Sequence, residues 1–306
     1  MNREANGGPA AGAQVAFLVG AGRSGTTLLH KLLCLHPEIA YISNYENRFA
    51  WFPDGLACGA IADRLDEKLS AWFDKGGNAY FVKRPWLKKL FPTPNEGESV
   101  FRACGIPLFP APDYRPDAAT ATCLRRRFEQ IRRRSHAKVF LSKRTANNRR
   151  IRQLAEVFPA ARYVHLVRDG REVTQSLATV EWWDQHRVWW DGRTPIEMEQ
   201  AGEPRLAVCA RNWVREEQEL QIQLAAINPS RLLVLRFEEL LRDPHHHLRQ
   251  LVQFLGVEFS AAYRHAIELL NLQPVRPKWS REWDANQLAL VLKEIQPLLG
   301  QLGYTA

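Results

Sequence analysis

The stretch "VAFLVGAGRSGTTLLHKLLCLHP", Val15 to Pro37, constrains the fold more than any other part of the chain. Val15 to Val19 are apolar and mostly branched and end at a glycine, which predicts a buried strand. Gly20 and Gly25 bracket a loop. Thr26 and Thr27 then open a stretch that sets Leu28, Leu29, Leu32 and Leu33 on one helical face. His36–Pro37 closes that helix, because proline disfavours helical geometry in the residue before it. A strand, a glycine-rich turn and a helix N-terminus together make an anion site, where backbone N–H groups converge and the helix dipole favours negative charge.

Gly20, Gly25 and Thr27 have the spacing of the phosphate-binding pattern G-x-x-x-x-G-K-[ST]. Thr26, however, stands where the lysine belongs, and the loop's positive charge is Arg23 instead. A threonine cannot reach out to neutralise a γ-phosphate, so the loop reads as built for an anionic group but not for ordinary Mg-ATP chemistry. Taken alone, the stretch is also compatible with a plain glycine-rich strand-to-helix turn.

With 306 residues the chain can bury one large α/β core or two small ones. Its net charge of +9 suggests anionic ligands, but the excess is spread along the chain, so nucleic acid is not required. Residues 1–14 are polar, predict a flexible N-terminus and lack the apolar core of a signal peptide. No later stretch approaches the roughly 20 apolar residues of a membrane span. Cys34, Cys58, Cys104, Cys123 and Cys209 form no C-x-x-C pair; an odd number without a framework predicts reduced thiols in a cytoplasmic protein.

Strand signals at 15–19, 138–141, 162–167 and 231–236 alternate with helical patterns. That order predicts an α/β fold, a mostly parallel sheet flanked by helices, in a single domain over 15–306. Residues 75–120, with Pro85, Pro92, Pro94, Pro107, Pro110, Pro112 and Pro116, read as an irregular proline-rich insertion of the kind that forms lids. A helix is predicted over 206–227, and a C-terminal helix interrupted near Pro297.

A second informative stretch is "VFLSKRTANNRRIRQLAEVFPAARYVHLVRDGREVTQSL", Val139 to Leu177. Arg168 ends a strand, and Ser176 lies two turns into the helix that follows. A forked cation with a neutral hydroxyl suits a phosphate monoester. Alone, R-D-G is equally a turn with a surface ion pair.

Together these stretches resemble the sulfotransferases that use 3′-phosphoadenosine 5′-phosphosulfate (PAPS), with motifs similar to those of bacterial and tyrosylprotein sulfotransferases. "GAGRSGTTLL" looks like that family's 5′-phosphosulfate loop, and "VRDGREVTQS" like its 3′-phosphate motif R-D-x-R-x-x-x-x-S. "LSKRTANN…FPAARY" and "LLVLRFEELLRDPHHHLRQLVQFLGV" resemble the segments expected around them. The resemblance implies a P-loop-like fold, PAPS as donor, 3′,5′-adenosine bisphosphate as product and no metal. It implies that Gly22, Arg23, Ser24, Gly25, Thr26 and Thr27 hold the 5′-phosphate, Arg23 also meeting charge on the bridging oxygen. Arg168 and Ser176 would clamp the 3′-phosphate and Lys143 would stand near the sulfuryl group. Phe237 would lie against the adenine, and Arg276, Lys278 and Trp279 would close over the cofactor, although the arginine spacing there matches loosely.

The acceptor would be a hydroxyl on a sugar, phenol, lipid or protein side chain, and it needs a base. The histidine that many relatives carry after the family lysine is missing from "KRTANN", so the family's other solution, a glutamate after the first helix, points to Glu46 in "ISNYENRF". The alternative is a glutamate that pairs with Arg48 or simply faces solvent. "VEWWDQHRVWW" sets Trp182, Trp183, Trp189 and Trp190 beside His186, a second base candidate; the cluster suits an acceptor face or simple packing. His245–His247 point in different directions and do not suggest a metal site. "CLRRRFEQIRRR" gives a basic helix face, either solvated or a docking surface for an anionic acceptor or membrane headgroups. Two rival readings stand beside this one: a P-loop nucleotide kinase, disfavoured by Thr26, and a non-catalytic nucleotide- or RNA-binding protein.

Overall fold

In the computed structural model, residues 15–51, 65–73, 91–108, 114–274 and 276–305 are described. Five strands, β1 (Val15–Val19), β2 (Ile39–Tyr41), β3 (Val139–Lys143), β4 (Arg162–Val167) and β5 (Leu232–Arg236), form one sheet in the order β2-β3-β1-β4-β5. All four pairings are parallel, with Leu18 opposite Lys143 on one side and Val164 on the other. β1 is thus central, and the chain leaves it toward β2 on one side before crossing to β4 on the other. Loops at the carboxyl ends of such strands frame a crevice, the usual ligand position in open α/β sheets.

β1 to β4 are mostly apolar and buried because both faces of the sheet are covered there, while the edge strand β5 is partly exposed. Leu18, Leu141, Val164 and Leu166 face one side, against Leu28, Leu29 and Leu32 of α1 (Thr26–Cys34). Phe17, Phe140 and Tyr163 face the other, where Phe128 of a long helix stacks on Phe140 with centroids 4.1 Å apart. Short helices α2 (Asn44–Arg48), α3 (Leu65–Trp72) and α4 (Glu98–Ala103) precede that long helix, α5 (Ala118–Arg134). After β3 come a 3-10 turn at Thr145–Arg149 and α6 (Ile151–Val157). α7 (Gly170–Ala178) follows β4.

A third core joins α7 to α9 (Arg205–Leu224), with α8 (Pro195–Gln200) before it. α10 (Phe237–Arg242), α11 (Pro244–Leu255), α12 (Ala261–Leu270), the short α13 (Trp279–Glu282) and α14 (Ala285–Gln301) complete the chain.

Four expectations change. β2 had no strand signal, since three residues are too few to show a period. The helix expected to break near Pro297 runs through it, because Val291, Ile295, Leu298 and Leu299 are buried on one face. That packing outweighs the one hydrogen bond that proline removes. The proline-rich segment is not irregular throughout: α4 lies inside it and α5 begins at its end, while residues 74–90 and 109–113 lie outside the described residues, as does the N-terminus, 1–14.

The thiols are not all reduced: Cys104 and Cys123 form a disulfide, their Cα atoms 5.4 Å apart where the end of α4 meets α5. A separation of 19 residues carries no signature in sequence, so only tertiary packing reveals the pair. The cysteine argument for a cytoplasmic protein therefore no longer stands. Among the described residues no helix is long and apolar enough to cross a membrane.

Candidate active site

The loop after β1 is shaped by backbone geometry. Gly25 is the N-cap of α1 at φ 89°, and a Cβ there would meet the Phe237 ring at 2.3 Å. A Cβ on Gly20 would lie 2.5 Å from the carbonyl oxygen of Leu166. Arg23 adopts φ 70°, a left-handed conformation that costs a residue with a side chain about 1–3 kcal/mol and marks functional turns. Asn148 anchors the loop from the 3-10 turn: its amide accepts from the Gly20 N–H (3.3 Å) and donates to the Gly20 carbonyl (2.9 Å).

Arg23 and β4 meet across the crevice. The Arg23 Nε donates to Ser176 Oγ at 2.9 Å, and Arg168 Nη1 donates to the Arg23 carbonyl at 3.0 Å. Arg168 also pairs with Glu172, one turn on in α7, at 3.2 Å, and its guanidinium lies 4.9 Å from the Phe237 ring centre. The other Glu172 oxygen accepts from the backbone N–H of Lys278 at 2.5 Å, tying the segment before α13 to α7. Around these contacts opens a cleft of about 540 Å³, lined by Arg23, Arg168, Ser176, Phe237, Lys278 and Glu172 among others.

Trp279 borders this region with its ring under the Arg171 guanidinium at 4.5 Å. Ser24 Oγ, Arg168 Nε and Trp279 Nε1 are buried without a hydrogen-bond partner. Gly22 has open space where a side chain would project.

Lys143, at the end of β3, reaches the same loop from the other side. Its Nζ donates to Thr27 Oγ1 at 3.3 Å and pairs with Glu96. Burial alone would raise the Glu96 carboxyl, but Lys143 and the Thr145 N–H hold it below the usual carboxylate range. Thr26 is itself buried at the helix start.

The structure thus brings together Arg23, Arg168, Ser176, Phe237 and Lys278, with Lys143 and Thr27 at the loop's other flank. It does not bring Glu46 into that cleft. The Glu46 carboxylate accepts from the Ser43 N–H at 2.7 Å and from its hydroxyl, closing the capping box of α2. It borders a separate small cavity with Val100, Arg127 and Arg134.

The tryptophan cluster does not line the cleft: Trp183 is buried, Trp189 donates to Glu216 and Trp190 to Asn212 of α9, and Trp182 is exposed. His186 stacks on Trp183, and burial, with the nearby Arg149 charge, lowers its pKa. The basic face of α5 is partly spent within the molecule, Arg125 on the Val157 carbonyl and Arg132 and Arg133 on Glu129. Among the described residues no group of His, Cys, Asp and Glu could hold a metal.

Sequence reasoning missed Glu172, Asn148 and Glu96. Glu172 four residues after Arg168 is a legible helix pair, but its second role toward Lys278 depends on a segment 106 residues away.

A five-stranded parallel sheet with a glycine-rich strand-to-helix loop at its centre, met across the crevice by Arg168 and Ser176, defines a P-loop-like α/β protein without the lysine of the nucleoside triphosphatases. A model of the sulfotransferase family matches residues 16–261, and the chain belongs to that family. It is 27% identical over 262 residues to the omega-hydroxy-beta-dihydromenaquinone-9 sulfotransferase Stf3 of Mycobacterium tuberculosis and of Mycobacterium bovis. The match takes in 79% of this chain and spans 62% of the length of those relatives. Among solved structures, the sulfotransferase STF9 from Mycobacterium avium superposes with a TM-score of 0.58 at 16% identity, covering 97% of this chain and 78% of that one. STF1 from Mycobacterium tuberculosis gives 0.52 at 16% identity, covering 95% and 77%. At these identities the structures establish the shared fold.

Proposed function

We propose that this protein transfers a sulfuryl group from PAPS to an acceptor hydroxyl. The observation that carries the reading is the cleft in which Arg23, Arg168 and Ser176 converge between the anion loop and α7. It offers two anion positions. The loop amides with Thr26 and Thr27 would hold a 5′-phosphate, and Arg168 with Ser176 a 3′-phosphate. The partnerless Ser24 Oγ, Arg168 Nε and Trp279 Nε1 fit a ligand rich in oxygen acceptors, since buried donors normally find partners.

When bound, the cofactor supplies a sulfuryl group on a phosphate leaving group. Arg23 and Lys143 flank the loop and would neutralise charge there as it develops, the electrostatic role cations take in phosphoryl transfer. Phe237 would give the adenine a flat partner, and Lys278 would close the cleft's rim. Glu46 is the first candidate for the base that removes the acceptor proton and His186 the second. The Mycobacterium relatives are named for a hydroxylated menaquinone derivative, so a long-chain alcohol belongs beside sugars and phenols in an acceptor screen.

The test is direct. The protein should bind 3′,5′-adenosine bisphosphate well above adenosine 5′-phosphate, and labelled donor added to extract should label an acceptor in the presence of EDTA. Tighter binding of Mg-ATP than of bisphosphate would reinstate the kinase reading.

A further inference from the structure

The turn after β3 carries more positive charge than its neighbours answer. Arg144 and Arg150 are only 1% and 3% exposed, rare for guanidinium groups. Arg144 pairs with Glu98 of α4 and lies 4.5 Å over the Phe101 ring. Among the described residues Arg150 has no carboxylate partner; its Nη2 donates to the carbonyls of Pro107 and Leu108. Glu96 is taken by Lys143 and Glu216 by Arg149. Among the described residues, then, Lys143, Arg144 and Arg150 share the two carboxylates Glu96 and Glu98. Burial, helped by the charge of Arg144, pushes the Arg150 guanidinium down to about 9.

The same turn holds a concentration of orphaned polar atoms. Arg150 Nε and Nη1, Arg144 Nη1, Glu98 Oε1 and both amide atoms of Asn147 are buried without a hydrogen-bond partner. Each such group costs free energy unless something completes it, and a buried unpaired cation costs most. An oxyanion would complete this one, accepting from the two guanidiniums and the Asn147 amide while supplying the missing negative charge. The frame is stiff: α4, which carries Glu98, is tied to α5 by the Cys104–Cys123 disulfide.

We propose that Arg144, Asn147 and Arg150 form a second anion subsite, which takes an acidic group carried by the acceptor. The proposal rests on the sulfotransferase reading and narrows it. Because the turn begins one residue after Lys143, the acceptor would be one whose hydroxyl lies near a carboxylate or a sulfate or phosphate ester. That differs from the menaquinone derivative for which the relatives are named.

The experiment uses the full chain saturated with 3′,5′-adenosine bisphosphate, so that the donor cleft is closed to other anions. Millimolar sulfate, and separately succinate, are titrated against chloride at matched ionic strength while Tm is followed. At least one oxyanion should raise Tm by mass action. Asn147→Leu and Arg150→Met should lose most of that rise while keeping the wild-type bisphosphate Kd. Since the Asn147 amide has no partner to lose, Asn147→Leu should unfold no lower than wild type without oxyanion, so its lost response reports the ligand and not the fold. Preference for sulfate assigns an ester, and preference for succinate a carboxylate. No rise beyond that of chloride, or an equal rise in both variants, overturns the subsite. Failure of the bisphosphate to bind overturns the transfer reading instead, and the same titration without it, compared across the variants, still decides the subsite.

Discussion

Arg168 has three partners besides any ligand: the Arg23 carbonyl, Glu172 and the Phe237 ring. Replacing it with Ala should cost about 1.5–3 kcal/mol of bisphosphate binding, roughly 10- to 100-fold, while adenosine 5′-phosphate affinity stays nearly unchanged. Calorimetric titration of both nucleotides checks this, and an equal loss for both would mean that the arginine acts by shaping the loop. Glu46 calls for a different substitution because its carboxylate closes a capping box. Glu46→Ala would remove the cap, about 0.5–2 kcal/mol, and confuse stability with catalysis. Glu46→Gln can still cap α2, since glutamine serves at that position, but it cannot take a proton. If Glu46 is the base, kcat should fall by about 10²–10⁴ with Tm and bisphosphate affinity near wild type. Near-normal turnover would pass the role to His186.

The loop and its helix offer a paired test at the level of the element. Gly25→Ala forces a side chain into φ 89° and against Phe237, so it should lower Tm and abolish bisphosphate binding together. Gly22→Ala meets open space and should leave Tm near wild type, so any nucleotide affinity it loses reports on the ligand alone. Thermal melts with and without bisphosphate separate the two. Elements built on a strong local pattern were legible in sequence: β1 because its unbroken apolar run ends at a glycine, β4 because its run is mostly apolar, interrupted only by His165 after its first residue, and α9 because its period is sustained. What escaped depends on distant partners. Three residues of β2 show no alternation, the disulfide joins cysteines with no motif, and Pro297 looks like a break until the buried face around it is seen. At the site, Arg168 and Ser176 were legible through a motif with fixed spacing. Glu96 and Asn148 were not, since an isolated carboxylate or amide acquires meaning only from the lysine or loop it meets.

For the molecule as a whole, acid sensitivity should begin earlier than carboxylate protonation. His30 on α1 is fully buried, and burial, with the charges of Lys143 and Lys31, lowers its pKa from the ordinary 6.5 to about 3. The unfolded chain binds that proton below pH 6.5 and the folded chain does not, so stability is complete above 6.5 and is lost as pH falls toward 3. The slope is about 1.4 kcal/mol per pH unit once His30 is charged in the unfolded state. Urea midpoints measured from pH 7 to 4 should fall more steeply for wild type than for His30→Leu; equal slopes would remove His30 from the account. The strand order has a consequence in time as well. β1 precedes both of its sheet partners, which lie more than 100 residues downstream, at 139–143 and 162–167. A nascent chain must therefore carry the apolar residues of β1 and the unclosed glycine-rich loop after it until both partner strands have left the ribosome. Such long-range closure is slow and leaves sticky segments waiting. The cell's chaperones, not only its nucleotides, should be among the first things this sequence meets.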